Sequence, residues 1–161
     1  MNLSITIIGH NEVEHLRELL PQLKWAHEIV YVDCESHDGS LEVARELGCR
    51  VFSRPNNTNL NVNKSYAMEQ AKGDWVFYVD PDERLPESLV AEIEAVIQNT
   101  TNAAFKLNRR NHYFGNWLRY GSQYPDTQLR LFRKDSAQFP NQHVHEKLVV
   151  EGSIGKLNND M

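Results

Sequence analysis

The sequence has few cysteines, few glycines and no long apolar run, and each shortage argues against a class of protein. Its two cysteines lack a CxxC spacing and give no disulfide framework. No stretch approaches the roughly 20 apolar residues of a membrane-spanning helix. The eight glycines form neither GxGxxG nor GxxxxGK[ST], which argues against a dinucleotide-binding fold and a P-loop. We expect a protein of the reducing cytoplasm, with attachment to the inner face of the membrane left open.

Positive charge is also scarce. Lys and Arg total 17 against 22 Asp and Glu, a net charge of −5. Nucleic-acid binding usually leaves an excess of basic residues, so no nucleic-acid partner is expected. The second half does carry a local basic group: Arg109, Arg110, Arg119, Arg130, Arg133 and Lys134. These residues either serve phosphates or an anionic surface, or form an ordinary solvated face.

The hydrophobic pattern predicts a single α/β domain over residues 1–161. Up to about residue 100, apolar strand-like segments alternate with amphipathic helical ones, which predicts a mostly parallel sheet with helices on both faces. Residues 101–161 contain mainly strand-like segments and predict a small antiparallel extension of the same sheet. Locally, Asn11 is expected to cap the first helix. Residues 56–63, rich in Asn, are expected to be irregular.

The most informative segment is Asp80-Pro81-Asp82-Glu83, which directly follows the apolar strand-like run 75–79. Carboxylates at the end of a buried strand lie where open α/β sheets bind ligands. Acids so close together repel each other unless a cation joins them, and oxygen ligands suit Mg²⁺ or Mn²⁺. The segment therefore predicts a metal site able to hold a diphosphate. The alternative is a turn whose acids precede a helix.

Two further polar loops, residues 9–12 and 33–40, follow the first two predicted strands. The carboxyl ends of parallel strands face one crevice, so the three loops are expected to meet. Asp33 is suited to accept hydrogen bonds from a base or a ribose. A nucleoside diphosphate held through a metal is the function that this arrangement favours.

These loops resemble the motifs of the family 2 glycosyltransferases. Ile7-Ile8-Gly9-His10-Asn11-Glu12 corresponds to the first motif, and Val32-Asp33-Cys34-Glu35-Ser36-His37-Asp38-Gly39-Ser40 to the second. The third runs from Gly73-Asp74-Trp75 to Asp80-Pro81-Asp82-Glu83. Arg130-Leu131-Phe132-Arg133 and Val144-His145-Glu146 resemble a branch with lipopolysaccharide core glucosyltransferases. The resemblance implies a GT-A-like, three-layer α/β/α fold, with residues 1–100 as the nucleotide-sugar half and 101–161 as the acceptor half.

The resemblance also implies a reaction. A hexose would pass, with inversion, from a nucleoside diphosphate sugar, expected to be a UDP-sugar, to a cell-envelope glycan or lipid-linked glycan, assisted by Mg²⁺ or Mn²⁺. The implied site residues are His10, Glu12, Asp33 and Asp80 for the nucleotide sugar, Asp80 and Asp82 for the metal, and Glu146 as general base. Lys64 is a candidate phosphate ligand, the alternative being an exposed helix residue.

The chain departs from the family pattern in several places. Gly9-His10 replaces a Pro-x-Tyr sequence, Cys34 replaces a second Asp, and Pro81 replaces a small residue. Relatives usually continue beyond the point where this chain ends, so the acceptor half is expected to be incomplete. Two other functions stay open, a nucleotide-sugar-binding module without turnover and a nucleotidyltransferase, which normally has a Gly-rich basic N-terminal loop.

Two groups of side chains in the second half also have alternative interpretations. The aromatic stretch His112-Tyr113-Phe114, together with Trp117, is either a platform for the acceptor or part of the core. His143 and His145 are two residues apart and would share one face of a strand, which makes zinc binding a minor alternative.

Overall fold

The computed structural model describes residues 1–140 and 147–161. Its strands are β1 (Leu3–Gly9), β2 (Glu28–Asp33), β3 (Arg50–Ser53), β4 (Trp75–Tyr78), β5 (Ala104–Arg109), β6 (His112–Tyr113), β7 (Asn116–Trp117), β8 (Asp126–Arg133), β9 (Ala137–Gln138), β10 (Val149–Val150) and β11 (Ile154–Lys156). Its α-helices are α1 (Val13–Leu19), α2 (Ser40–Glu46), α3 (Leu60–Gln70) and α4 (Glu87–Gln98), with short 3-10 turns at Leu20–Leu23 and Lys134–Ser136.

Seven strands form the central sheet in the order β11-β5-β8-β4-β1-β2-β3. All of them run parallel except β8, which pairs antiparallel with both β4 and β5. The prediction of a mostly parallel sheet with an antiparallel extension is confirmed. The extension amounts to one reversed strand inserted between two parallel ones.

Helices cover the sheet on both faces. Successive residues of a strand point to opposite sides, so each inner strand packs against both helical layers. On β4, Trp75 and Phe77 join the apolar cluster formed with α1, α2 and α4. Val76 and Tyr78 join the cluster on the other face, which includes Met68 of α3. The inner strands are therefore buried on both faces, and the domain has three layers of helix, sheet and helix. None of the helices in the described ranges has the length and apolar character of a membrane span.

The expected cap of α1 is wrong. Asn11 has φ 56°, and the residue at the N-cap is Glu12, whose own side chain makes no capping bond. The amide groups of Glu12 and Val13 donate instead to the side chains of Ser40, at 2.8 Å, and Asp38, at 3.0 Å. The loop after β2 thus satisfies the free N–H groups at the start of α1, a contact between residues distant in sequence.

The prediction that residues 56–63 are irregular is also wrong for residues 60–63, which are helical. Helix α3 begins at Leu60, and the side chain of Asn59 accepts a hydrogen bond from the Asn61 amide at 3.1 Å. Asn favours helix N-caps as well as loops, so the Asn-rich composition contained a helix start. The earlier start of α3 places Lys64 in its second turn.

Candidate active site

The three polar loops lie at the carboxyl edge of the sheet, as predicted. Gly9 at the end of β1 is in register with Asp33 at the end of β2, and the Cys34 amide donates to the Gly9 carbonyl at 2.8 Å. Strand β4 pairs with β1 on its other side and delivers residues 80–83 to the same edge. The sequence-derived expectation that these loops meet at one edge is therefore correct.

The first two loops are locked to each other by hydrogen bonds. The His10 ring donates through Nδ1 to the Cys34 carbonyl at 2.6 Å, and its Nε2 faces the Asn11 side-chain amide at 3.1 Å. The Asn11 amide donates to Ser36 Oγ at 2.9 Å, and Asn11 Oδ1 accepts from the His37 amide at 2.8 Å. Because the carbonyl can only accept, this arrangement assigns the proton of a neutral His10 to Nδ1. The exposed His10 ring is held in one orientation at the mouth of the loop.

Glu12 and Asp33 have different surroundings. Glu12 pairs with His15, one turn along α1, at 2.7 Å. Asp33 is 3% exposed, and its Oδ2 accepts from the Ser36 amide at 3.2 Å. Its Oδ1 has no hydrogen-bond partner within the described part of the chain. A buried carboxylate oxygen without a partner is costly, so it marks a place where a ligand can donate a hydrogen bond.

Helix α3 connects the second loop to the end of β4. Its Asn63 donates to Cys34 Sγ at 3.2 Å and to the Pro55 carbonyl at 3.0 Å. The next residue, Lys64, places Nζ 4.4 Å from the centre of the Tyr78 ring. Burial lowers the pKa of the Lys64 ammonium, and the negative charge of Asp80 opposes that effect. Lys64 is therefore half-buried beside the acid segment and is not the exposed helix residue of the alternative interpretation.

Residues 80–83 form a closed turn, here called the acid turn. The Glu83 amide donates to the Asp80 carbonyl at 3.1 Å, and the Asp80 amide donates to Glu83 Oε2 at 2.7 Å. The Asp80 carboxylate also accepts from the Tyr78 hydroxyl. Asp82 is exposed and has no hydrogen-bond or ion-pair partner among the residues that the structure describes. The two aspartates of the turn thus differ, since Asp80 is engaged and Asp82 is free.

The acid turn is held by a buried arginine of β8. Arg130 is 5% exposed, and its Nη2 lies 2.8 Å from Asp80 Oδ2 and 2.6 Å from Glu83 Oε1. Its guanidinium also lies over the Tyr78 ring, 4.6 Å from the ring centre. Arg109 adds a contact of 3.3 Å from Nη1 to Glu83 Oε1. Charges so buried need partners of this kind, because an unpaired one would be strongly destabilising.

The pKa values of the two acids in this cluster move apart. Burial alone would raise the pKa of Asp80, but the charge of Arg130 and the hydrogen bond from Tyr78 lower it below its ordinary value. Burial raises the pKa of Glu83 to about 7, assisted by the neighbouring charge of Asp80 and opposed by Arg130. Asp80 therefore carries the more firmly ionised carboxylate of the two.

Arg130 and Arg109 were not singled out as site residues from the sequence, where they belonged to a diffuse basic group. A signal was present for Arg130. It interrupts the apolar run of β8 between Leu129 and Leu131, at a strand position that is buried. A lone charge at such a position requires a buried partner of opposite sign. The acid turn provides that partner.

Two clefts flank the acid turn. One, of about 520 Å³, is lined by Lys64, Tyr78, Asp80, Arg109, Arg130 and Lys147, among others. The other, of about 710 Å³, is lined by Asp82, Glu83, Arg109, Arg110, His112 and Asp160, among others. Asp80 and Asp82 therefore line different clefts, and Arg109 lines both.

The acid turn is compatible with a divalent ion that also binds a ligand. Within residues 1–140 and 147–161 no three His, Cys, Asp or Glu side chains are grouped to form a metal site. Asp82 offers a free carboxylate, and Asp80 lies two residues away. Mg²⁺ is commonly bound by one or two carboxylates, with phosphates and waters completing its shell. The donors present suit such an ion only together with a phosphate-bearing ligand.

The predicted general base, Glu146, lies outside the described residues, as do His143 and His145. Its role and the zinc alternative both stay predictions.

The model of one protein family, described as glycosyl transferase family 2, matches residues 4–149. The chain belongs to this family. The resemblance noted from the three loop motifs is thereby confirmed. The chain is 29% identical over 159 residues to the lipopolysaccharide core biosynthesis glycosyltransferase LpsC of Rhizobium meliloti, covering 95% of this chain and 59% of LpsC. The chain thus spans somewhat more than half the length of that curated relative.

Solved structures share the fold. The S. aureus TarS 1–349 structure in complex with UDP-GlcNAc has a TM-score of 0.65 and 19% identity, covering 83% of this chain and 46% of that one. The mannosyltransferase PcManGT of Pyrobaculum calidifontis, in complex with GDP-Man and Mn²⁺, has a TM-score of 0.60 and 19% identity, covering 68% and 36%. The expected GT-A-like fold is confirmed by these likenesses.

Proposed function

We propose that this chain transfers a hexose from a nucleoside diphosphate sugar to a cell-envelope glycan, with inversion at the anomeric carbon and with help from Mg²⁺ or Mn²⁺. The observation that carries the proposal is the meeting of Asp33, Lys64 and the acid turn at one sheet edge of a family 2 chain. The nucleotide sugar and the Mn²⁺ in the two related structures support it.

The nucleoside would bind at the first two loops. The unpartnered Oδ1 of Asp33 can accept a hydrogen bond from the imide N–H of a base or from a ribose hydroxyl. The fixed ring of His10 offers a flat surface beside it. Glu12, which is turned toward His15, would line the same pocket after exchanging that partner. A UDP-sugar is the expected donor.

The diphosphate would lie beside Lys64 and Asp80 in the smaller cleft, and the ion would be held by Asp80 together with Asp82, which lines the adjoining larger cleft. When bound, the ion would neutralise the charge that develops on the departing diphosphate. Arg130 stays next to Asp80 and holds a positive charge inside the protein, close to the same region. A fixed buried charge stabilises a developing negative charge more effectively than a solvated one.

The acceptor hydroxyl would attack the anomeric carbon from the side opposite the diphosphate. The new C–O bond forms as the bond to the diphosphate breaks, and the hydroxyl proton passes to Glu146. We expect Glu146→Gln to bind the donor normally and to lose transfer. Equal transfer by this variant and the parent protein would remove Glu146 from the mechanism.

The donor can be identified by thermal unfolding in the presence of UDP-, GDP-, ADP- and dTDP-sugars, each with and without Mn²⁺. A specific ligand stabilises the folded state by mass action, so the correct sugar nucleotide should raise Tm only when Mn²⁺ is present. Asp33→Asn should lose most of that shift, whereas Asp135→Asn, at the opposite edge of the sheet, should keep it. Absence of a shift with every sugar nucleotide would contradict the proposed donor class.

The proposed acceptor is a lipid-linked or otherwise membrane-associated glycan, because the named relative acts in lipopolysaccharide core biosynthesis. A transfer assay separates this enzyme from a binding module without turnover. Release of nucleoside diphosphate in the presence of core oligosaccharide supports transfer. Donor binding without any release would favour the binding module.

A further inference from the structure

The strands β6 and β7 form a small hairpin that stands outside the central sheet, here called the aromatic hairpin (residues 111–120). Its ladder pairs His112 with Trp117 and Tyr113 with Asn116, and it continues through the bond from the Leu118 amide to the Asn111 carbonyl at 2.9 Å. Three aromatic side chains of this segment face solvent, whereas Trp117 is half-buried. Phe114 is 89% exposed, Tyr120 88% and Tyr113 65%.

The most exposed ring of the hairpin, that of Phe114, lies at a turn position where other residue types are preferred. Phe114 and Gly115 form the two-residue turn, with φ of 47° and 76°. Turns with positive φ at both positions favour Asn-Gly or Asp-Gly, and a bulky ring with positive φ is an outlier. Strained positions of this kind are associated with functional sites. The core alternative for Tyr113 and Phe114 is excluded by their exposure.

The charges of the projecting segment have one sign. No Asp or Glu occurs between Arg109 and Asp126, in a chain whose net charge is −5. Arg110 is paired with Asp160 at 2.9 Å. Arg119 has no carboxylate partner in the described part of the chain, and its guanidinium lies 4.3 Å from the centre of the Trp117 ring. The hairpin therefore combines exposed rings with an unneutralised cation.

The base of the hairpin is attached firmly to the domain. Asp160 accepts from Arg110 Nε and from the Tyr124 hydroxyl, both at 2.9 Å, so it holds the chain on both sides of the hairpin. The Arg110 amide donates to the Met161 carbonyl at 2.8 Å. Arg110, His112 and Asp160 line the larger cleft together with Asp82. The exposed rings thus project from the wall of the cleft that Asp82 faces.

We propose that the aromatic hairpin docks on a membrane that contains anionic lipids, with Tyr113, Phe114 and Tyr120 in the headgroup region and Arg119 at the lipid phosphates. Tyr and Trp rings favour this interface, and basic side chains are attracted to anionic headgroups. The membrane contact follows from the hairpin alone. The further step, in which the hairpin presents a lipid-linked acceptor to the larger cleft, rests on the proposed function.

A glycan platform formed by Tyr113, Phe114 and Trp117 suits the geometry less well. Sugars stack on open ring faces, whereas Arg110 and Arg119 both lie over the Trp117 ring, at 4.7 and 4.3 Å. Tyr113 and Phe114 meet edge to face, with ring centres 4.6 Å apart, at a convex tip. Such a tip enters a soft interface more readily than it encloses a sugar.

Co-sedimentation with vesicles tests the inference without any acceptor. The protein should sediment with phosphatidylcholine vesicles that contain phosphatidylglycerol, and less with pure phosphatidylcholine. The double variant Tyr113→Ser/Phe114→Ser should lower the partition coefficient about tenfold, the equivalent of one buried apolar side chain. Arg119→Gln should lower it about fivefold on anionic vesicles only. Leu60→Ser, at a side chain that is 51% exposed on α3, is the matched control and should change nothing.

Three results would overturn the inference: no sedimentation of the parent protein, equal sedimentation of the double variant, or an equal loss in Leu60→Ser. Thermal unfolding of each variant with sugar nucleotide and Mn²⁺ separates this test from that of the proposed function. A donor shift kept by a variant that has lost vesicle binding supports the membrane role. Absence of a donor shift in every protein would contradict the donor site and leave the vesicle result valid.

Discussion

The acid turn and the aromatic hairpin lie on either side of Arg109 and Arg110, yet they are built in opposite ways. The acid turn is closed by its own hydrogen bonds and held by Arg130, which is buried. The hairpin makes its contacts at its base and leaves the rings of Tyr113, Phe114 and Tyr120 in solvent. The first arrangement fixes charges in place, and the second leaves an apolar surface available for a partner.

The difference indicates how the work of the molecule is divided. On the proposed donor side, parallel strands and loops joined by hydrogen bonds hold the side chains in place. Substitutions that remove these contacts should therefore lower the stability of the fold. The exposed residues of the hairpin make few contacts with the rest of the domain, so substituting them should change the stability of the fold little. Substitutions in the two regions should therefore separate into those that alter stability and those that alter binding to a partner.

The largest expected effect on stability is at Arg130. Arg130→Met should destabilise the protein by about 3–5 kcal/mol, because it removes the buried cation that contacts both Asp80 and Glu83 and leaves them only the more distant Arg109. Urea unfolding measures the loss. Arg119→Met in the hairpin is the matched control and should stay within about 0.5 kcal/mol. A similar, small change in both variants would remove the contrast between the two regions.

A second network of charged side chains surrounds Glu28. Substituting Glu28 shows whether the loss of stability expected at Arg130 is specific to the acid turn. It accepts from Ser4 Oγ at 2.6 Å, from the Lys72 amide and from Arg50 Nη1 at 2.6 Å, at the start of β2. Burial would raise the pKa of Glu28, but the hydrogen bonds from these groups lower it overall. Glu28→Gln should therefore cost about 2 kcal/mol at pH 7, less than Arg130→Met.

The pH dependence of this cost has a defined sign. A carboxylate whose pKa is lower in the folded state stabilises the protein above its unfolded pKa, about 4.3, and loses that effect as the pH falls through the folded value. The difference between parent and Glu28→Gln should be constant above about pH 5.5 and should shrink below about pH 4. A difference that grows on acidification would contradict the network at Glu28.

The smallest expected effect is at the hairpin tip and has the opposite sign. Phe114→Asn should stabilise the protein by about 0.5 kcal/mol, because Asn tolerates the positive φ of this turn better than Phe. The same variant should weaken vesicle binding, which would sharpen the contrast between folding and partner binding. Destabilisation by this variant would mean that the Phe114 ring packs within the folded protein.

Much of the first half could be predicted from the sequence, because local patterns decide it. Apolar runs located β1, β2 and β4, and the polar residues at their ends located the three loops. The cap of α1 could not be predicted, since Asp38 and Ser40 reach it from another loop. The start of α3 was missed because Asn59 suits both a loop and a helix cap.

The candidate site was predicted less completely than the fold. Asp33, Asp80 and Asp82 could be selected because each follows a buried strand. The partner of Asp80 could not, because Arg130 lies 50 residues further along the chain and reaches it only through the reversed strand β8. Nor does the sequence indicate that Asp80 and Asp82 line different clefts, which depends on how the acid turn closes.

Calorimetric titration of the sugar nucleotide that raises Tm, in Mn²⁺ and in chelator, tests the central claim most directly. The parent protein should bind the donor tightly only with Mn²⁺. Asp82→Asn should weaken that binding about tenfold to a hundredfold while leaving stability within about 0.5 kcal/mol, because Asp82 is exposed and unpaired in the described structure. Asp135→Asn should bind like the parent. Equal, Mn²⁺-dependent binding by Asp82→Asn and the parent would contradict the assignment of the acid turn as the metal site.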